Sequence, residues 1–221
     1  SGATLQVKES NGSVRPWGDI KAKQIWKKPM AVMVDRYSAS ASEIFAGAIQ
    51  DYQRGVIIGQ QTFGKGTVQK LDNLSSGQLK ITESKFYRIT GAGMQTKGIQ
   101  PDITLPSTWD IEEIGESSYD TALPWDEIKP VQFKKFSMKS SLISQLNDEH
   151  LIRVNQSPNL QYILDIRKRY EFQKNKDVIS LNLINRRIEK EERQSWALDI
   201  ENKRRASLNM EVFSSFKAME D

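Results

Sequence analysis

Two apolar, strand-like runs separated by an amphipathic helix pattern lie between residues 29 and 59. The first run, 29–35, is almost continuously apolar, as expected for a strand that is covered on both faces. Residues 40–52 place their apolar side chains on one helical stripe, and residues 55–59 have the pattern of a second buried strand. This order predicts a βαβ unit.

Further strand patterns follow the βαβ unit. Residues 67–69 and the alternating segment 79–89 are separated by turn-forming residues, and we expect both to join the same sheet. Residues 99–103 predict an extended edge segment, because Pro101 cannot donate to a central ladder. The predicted fold class is α/β, with a mixed sheet in a βαβ-containing core and a mainly helical C-terminal region.

The composition changes after about residue 106, which predicts three parts. Residues 1–106 would form the core, the acidic and turn-prone segment 107–135 a linker that wraps the surface, and 136–221 a helical domain. Ser157 followed by proline is typical of a helix start. The charged stretch 182–209 favours a solvated amphipathic helix over an RNA-binding arm, because its acidic and basic residues nearly balance.

Several function classes are excluded by composition. The chain has no cysteine and a single histidine, His150, so thiolate chemistry and metal sites built on several histidines are ruled out. The formal net charge of +4 is dispersed along the chain, and we expect no nucleic acid partner. No stretch approaches the roughly 20 apolar residues of a membrane span.

The predicted turn before the helix contains Ser40, with Glu43 three residues later. This spacing is that of a capping box, in which both side chains satisfy backbone donors at a helix start. The same geometry suits a nucleophile, because a serine at the tip of a strand-to-helix turn lies beside a positive helix terminus. Backbone N–H groups there, such as that of Ala41, could stabilise an oxyanion.

A serine nucleophile needs a base, and Lys65 is the candidate. It lies between Gly64 and Gly66, which allow a tight backbone path, in a segment that returns from the strand next to the Ser40 helix. Lysines can act as bases where burial disfavours the charged amine. Most lysines are merely solvated, so Lys65 alone is a weak signal.

A phosphate-binding loop is a rival reading of the same residues. Gly59 and the Gly64–Lys65 pair have most of the required spacing, but residue 66 is glycine where serine or threonine should meet a metal ion. The following residues favour a strand, whereas the phosphate cradle requires a helix N-terminus.

Residues 38–44, SASASEI, and 62–69, TFGKGTVQ, resemble the C-terminal processing peptidases of family S41, closest to the bacterial tail-specific branch. Similarity continues at 85–88, 97–103 and 122–126 and, more softly, in the helical region. The resemblance implies Ser40 as nucleophile and Lys65, 25 residues later, as base. It also implies that Gln69 orients the amine of Lys65. Asp51 matches an acidic position implicated in the tail-specific branch and is therefore a further candidate catalytic residue, although a structural role at a helix end suits it at least as well.

The resemblance further implies a periplasmic serine endopeptidase that cleaves proteins with unstructured apolar C-terminal tails, without cofactor or metal. Polypeptides would be its substrates, and a lipoprotein adaptor is a candidate partner. Family members also carry a PDZ domain and an upstream glycine-rich active-site segment, which this chain lacks. We therefore expect a C-terminal part of a protease with little or no activity alone. The alternative function is a non-catalytic scaffold that docks an adaptor.

Overall fold

The computed structural model describes residues 2–19, 21, 23–138 and 140–220, which divide into two compact units. The first contains 1–105 and 109–147, and the second contains 106–108 and 148–221. The strands are β1 (Leu5–Glu9), β2 (Val14–Trp17), β3 (Ala31–Val34), β4 (Val56–Gly59), β5 (Thr67–Asn73), β6 (Gln78–Tyr87) and β7 (Ile103–Thr104). The helices are α1 (Ala41–Asp51), α2 (Ser140–Gln156), α3 (Pro158–Lys174), α4 (Leu183–Ser207) and α5 (Phe216–Glu220).

The predicted βαβ unit is formed by β3, α1 and β4. Strands β3 and β4 pair in parallel, and β7 adds to β4 in parallel, so the sheet order is β3-β4-β7. Ile57 and Ala46 are fully buried and belong to one apolar cluster, which packs the inner face of α1 against the sheet. The prediction that the segment around 99–103 forms an edge is confirmed, because β7 ends the order.

A second sheet contains the remaining strands, in the antiparallel order β2-β1-β6-β5. The prediction that 67–69 and 79–89 join the sheet of the βαβ unit is therefore wrong. Strand β1 pairs with the last residues of β6, which places about 80 residues of chain between partners. A pairing at that distance leaves no local pattern in the sequence. The α/β class is confirmed, but its parallel and antiparallel strands form two separate sheets.

Residues 109–131, here called the strap, run along the first unit and carry one short 3₁₀ turn, Glu116–Ser118. Its backbone bonds to the core at several points, for example from the Ile128 N–H to the Gly91 carbonyl at 2.9 Å. The Asp126 carboxylate accepts hydrogen bonds from the Lys85 ammonium and the Tyr87 hydroxyl. The strap is therefore attached to the first unit along its length. The predicted domain limits at 106 and 135 stay a prediction.

The second unit is helical. Ser157 caps α3 with proline at the first helical position, as predicted, and the Asn182 side chain caps α4 by accepting from Ile184 and Asn185. The Glu201 carboxylate on α4 accepts a hydrogen bond from the Arg204 guanidinium. This bond keeps the pKa of Glu201 below its usual range. Within the described ranges, no helix is long and apolar enough to cross a membrane.

Candidate active site

Ser40 lies at the tip of the turn between β3 and α1, directly before the first helical residue. Its backbone has a φ of 56° and a ψ of −111°, a combination that non-glycine residues rarely adopt. Such conformations cost about 1–3 kcal/mol and persist only where the surroundings impose them. A serine held on a strained strand-to-helix turn has the backbone arrangement of a nucleophile elbow.

Glu43 imposes that conformation from the first turn of α1. The predicted capping box is present, and the fully buried Glu43 carboxylate accepts from the Ser40 N–H at 2.8 Å. The same oxygen, Oε2, accepts from the Lys65 N–H at 2.9 Å. A single carboxylate oxygen therefore joins the backbone of the predicted nucleophile to that of the predicted base.

The other oxygen of Glu43, Oε1, holds the rest of the base loop. It accepts from the Thr62 hydroxyl at 2.5 Å and from the Gly64 N–H at 2.7 Å. Burial raises the pKa of the Glu43 carboxyl, and the hydrogen bonds from these donors oppose that shift. The sequence predicted only the bond to Ser40, because the contacts with 62–65 depend on tertiary packing.

The glycines beside Lys65 are required by close packing. Gly64 has a φ of +91°, and a Cβ there would lie 2.8 Å from the carbonyl carbon of Thr96. At Gly66 a Cβ would lie 2.5 Å from the Gln95 nitrogen. The predicted tight backbone path around Lys65 is thus confirmed.

Lys65 faces a cavity of about 670 Å³ that is also lined by Ala39, Thr67 and Gln69. Lys65 is half-buried, and its ammonium makes no hydrogen bond or ion pair with the described residues, so Ser40 Oγ and Lys65 Nζ are not bonded to each other. Gln69 is exposed on β5 and shares the cavity with Lys65, as its predicted orienting role requires. Residues of β6 and of the strap also line this cavity, among them Lys80, Thr82 and Glu116.

Ala41 is the first residue of α1, as the oxyanion prediction requires. Its backbone N–H donates to no acceptor in the part of the chain that the structure describes. A free N–H next to Ser40, at the positive end of a helix, is able to donate a hydrogen bond to a substrate oxygen on which negative charge develops.

Asp51 lies at the C-terminal end of α1, about 16 Å of helix from Ser40 at about 1.5 Å per residue. Its carboxylate is bound by Arg88, with Nε 3.2 Å from Oδ2 and a second bond to Oδ1. Burial raises the pKa of Asp51, and Arg88 opposes the shift by hydrogen bonding and charge. The structure thus does not bring Asp51 to the other site residues.

Two buried polar residues that the sequence did not single out also position the base loop. Arg36 is 1% exposed, and its guanidinium binds the carbonyl of Thr62 and that of Ile111 in the strap. Gln95, also 1% exposed, accepts from the Gly66 N–H at 2.9 Å. No local pattern marks either residue, because their partners are distant in the chain.

The structure contradicts the phosphate-binding-loop reading of the sequence. Gly59 to Lys65 is followed by strand β5, so the phosphate-loop reading, which requires a helix, is wrong. His150 lies on α2 and does not line the Lys65 cavity. Among the described residues, no group of histidine, aspartate and glutamate side chains is arranged to hold a metal ion.

Comparison with known proteins gives two family matches. Residues 1–105 match the model of peptidase family S41, and residues 109–221 match the C-terminal domain of tail specific protease. A tail-specific protease of Haemophilus influenzae is 37% identical over 92% of this chain, and a carboxy-terminal-processing protease of Bartonella bacilliformis is 48% identical over 36% of it.

The matched relatives are longer than this chain. It spans 31% of the Haemophilus protein and 18% of the Bartonella protein. A solved structure titled photosystem II D1 C-terminal processing protease is 30% identical, with a TM-score of 0.40, over 53% of this chain and 31% of that chain.

The α/β core and the family matches place this chain in a family of serine proteases. The chain belongs to peptidase family S41, in the group of tail-specific, C-terminal processing proteases.

Proposed function

We propose that Ser40 and Lys65 form a catalytic dyad that hydrolyses peptide bonds through an acyl-enzyme. The observation that carries this proposal is the pair of bonds to Glu43 Oε2, which ties the strained Ser40 backbone to the Lys65 backbone. Such a link holds two groups on separate elements in one geometry, which is what a nucleophile and its base require.

The proposed reaction has two stages, acylation of Ser40 and hydrolysis of the resulting ester. Lys65, as the neutral amine, takes the proton of the Ser40 hydroxyl while Oγ attacks the substrate carbonyl. The Ala41 N–H stabilises the resulting oxyanion, and the lysinium then protonates the departing amine as the peptide C–N bond breaks. Water, deprotonated by Lys65, then attacks the acyl carbon, the bond from that carbon to Ser40 Oγ breaks, and the lysinium returns a proton to Oγ. Gln69, within the same cavity, orients the amine.

The substrates, partners and location of the whole protein are part of this proposal. They are supported by the similarity to tail-specific proteases, one of which is the Haemophilus protein. We call the longer protease, of which this chain would be the C-terminal part, the parent protease. We infer that it acts in the periplasm on polypeptides with unstructured apolar C-terminal tails. An adaptor, of which a lipoprotein is the candidate, would deliver substrates.

A serine-reactive fluorophosphonate probe tests the dyad. We compare the parent protease with its Ser40→Ala and Lys65→Ala variants, and expect labelling of the parent only. A folded parent that neither labels nor cuts an apolar-tailed peptide would contradict the dyad and favour a non-catalytic scaffold.

The 221-residue chain receives the same probe. We infer that it has little or no activity alone, because it spans only 31% of the length of the Haemophilus tail-specific protease. We expect no labelling of this chain beside a labelled parent. Efficient labelling or tail cleavage by the chain itself would show that this inference is wrong.

A further inference from the structure

The loop that carries Lys65 is held from two sides. One side is the helix α1, whose buried carboxylate was described above. On the other side, the Gly66 N–H donates to Oε1 of Gln95 at 2.9 Å. The Thr96 N–H donates to the Gly64 carbonyl at 2.8 Å. Glycines on both sides leave the Lys65 backbone with wide conformational freedom, so these bonds from outside the loop restrict where Lys65 can lie.

Gln95 uses both polar atoms of its side chain. While Oε1 accepts from Gly66, Nε2 donates to Oε1 of Glu116 in the strap at 2.9 Å. A backbone N–H can only donate and a carboxylate can only accept, so one orientation of the amide satisfies both partners. Gln95 is 1% exposed, and the loss of either partner would leave a buried polar group without its bond.

Glu116 is itself fixed by contacts with the active-site unit. Its N–H donates to the carbonyl of Phe63 at 2.8 Å, two residues before Lys65. Just before it in the strap, the carbonyl of Ile114 accepts from the buried Arg36 guanidinium. The Glu116 side chain also lines the cavity that Lys65 faces. The carboxylate is therefore set by backbone contacts that do not depend on Gln95.

We propose that Glu116 is a positioning residue for the base: its carboxylate orients the Gln95 amide, which in turn holds the Gly66 N–H and the backbone of Lys65. This inference rests on the proposed protease function and adds a residue of the strap to it. The strap lies outside the residues that match the S41 model, so the proposal gives the following part of the chain a role in the reaction.

Two substitutions of Glu116 in the parent protease test the proposal by fluorophosphonate labelling. Glu116→Ala removes the acceptor, and we expect the labelling rate constant to fall about tenfold, because a displaced base no longer meets the serine in reactive geometry. Glu116→Gln keeps an oxygen that accepts from Gln95, and its rate should stay within about threefold of the parent. Asp120→Ala removes an exposed carboxylate from the same strap and should label like the parent.

Two outcomes of this comparison would overturn the proposal. Unchanged labelling of Glu116→Ala would show that the base does not depend on the strap. Equal losses in Glu116→Ala and Glu116→Gln would show that the charge of Glu116 acts and that the hydrogen-bonded chain through Gln95 does not.

An exchange of the two side chains tests the contact itself. Gln95→Glu places two carboxylates against each other, and we expect labelling about tenfold slower or less. In the double variant Gln95→Glu with Glu116→Gln, donor and acceptor exchange places, and the new carboxylate still accepts from Gly66. We expect the double variant to return to within about threefold of the parent. A double variant that labels no faster than Gln95→Glu would overturn the proposal.

Rate constants and amplitudes separate positioning from a purely structural role. Loss of stability lowers the fraction of protein that labels and the urea midpoint, but it leaves the rate constant of the folded fraction unchanged. With a cleavable apolar-tailed peptide, we expect Glu116→Ala to lower kcat and to change KM little, because Glu116 acts on the base. A loss confined to KM would show that Glu116 binds substrate, which contradicts the proposal.

The same probe distinguishes failure of this inference from failure of the dyad. Labelling that vanishes in Ser40→Ala and Lys65→Ala but is unaffected by Glu116→Ala overturns the positioning role and leaves the dyad intact. A parent that does not label at all overturns the dyad on which this inference rests.

Discussion

Asp51 and Arg88 form a largely buried ion pair at the end of α1, with side chains 3% and 18% exposed. Removing one partner of such a pair leaves the other charge buried and unpaired. In the 221-residue chain, we expect Asp51→Ala to lower the free energy of unfolding by about 3 kcal/mol, and Arg88→Met to have a similar effect.

The double variant checks that the two residues act together. We expect its loss, measured by urea denaturation, to be clearly smaller than the sum of the two single losses. Additive losses would mean that the ion pair is not what holds Asp51 in place.

Gly64 and Gly77 allow the geometry of the Lys65 loop to be tested with a matched control. Both have a left-handed backbone, with φ of +91° and +89°, so alanine strains each to a similar degree. At Gly77 an added Cβ meets nothing within 4 Å, whereas at Gly64 it meets the Thr96 backbone. In the parent protease, we expect Gly64→Ala to reduce the fluorophosphonate labelling rate at least tenfold and Gly77→Ala to leave it unchanged. Equal rates would show that the loop tolerates displacement.

At the scale of elements, the strap depends on Asp126. Burial would raise the pKa of Asp126, but hydrogen bonds from Lys85 and Tyr87, with the charges of Lys85 and Lys8, outweigh it and hold the pKa below its usual range. Because the folded pKa lies below the unfolded one, the stabilisation is present above about pH 4 and is lost as the pH falls through the folded value.

This dependence gives a pH prediction. Between pH 7 and pH 3, we expect the urea midpoint of the wild type to fall more than that of Asp126→Asn, by the equivalent of about 1 kcal/mol or less, since Asp126 is 39% exposed. Asp120, exposed on the same strap, provides the control, and Asp120→Asn should follow the wild type. A parallel decline in all three proteins would contradict a role for Asp126 in strap attachment.

At the scale of the whole molecule, the two compact units should unfold separately. Glu43→Ala leaves four hydrogen-bond donors of the first unit without an acceptor. It should lower the free energy of unfolding of that unit by about 3 kcal/mol or more. Asn182→Ala removes the side-chain cap of α4 and should lower the free energy of unfolding of the second unit by about 1 kcal/mol. Scanning calorimetry would record the two shifts, and one transition that moves in both variants would contradict the division.

Local patterns in the sequence were enough to predict the βαβ unit, the Ser40 turn and the glycines beside Lys65. In each case the signal lies within a few neighbouring residues: an apolar run, a capping pair, or glycines where a side chain would not fit. The start of α3 at Ser157 was predicted for the same reason. The helix within 182–209 was predicted instead from its amphipathic pattern of apolar and charged residues. The pairing of Ser40 with Lys65 was suggested by two short motifs and their resemblance to a family.

Only the tertiary structure decided which distant groups meet. The separation into two sheets depends on β1 pairing with β6, and the reach of Glu43 to both Ser40 and Lys65 depends on the packing of α1 against the loop after β4. The contact of Gln95 with both Gly66 and Glu116 likewise depends on tertiary packing. Such contacts join residues far apart in the chain, and their stability comes from burial and long-range hydrogen bonds that no local pattern encodes.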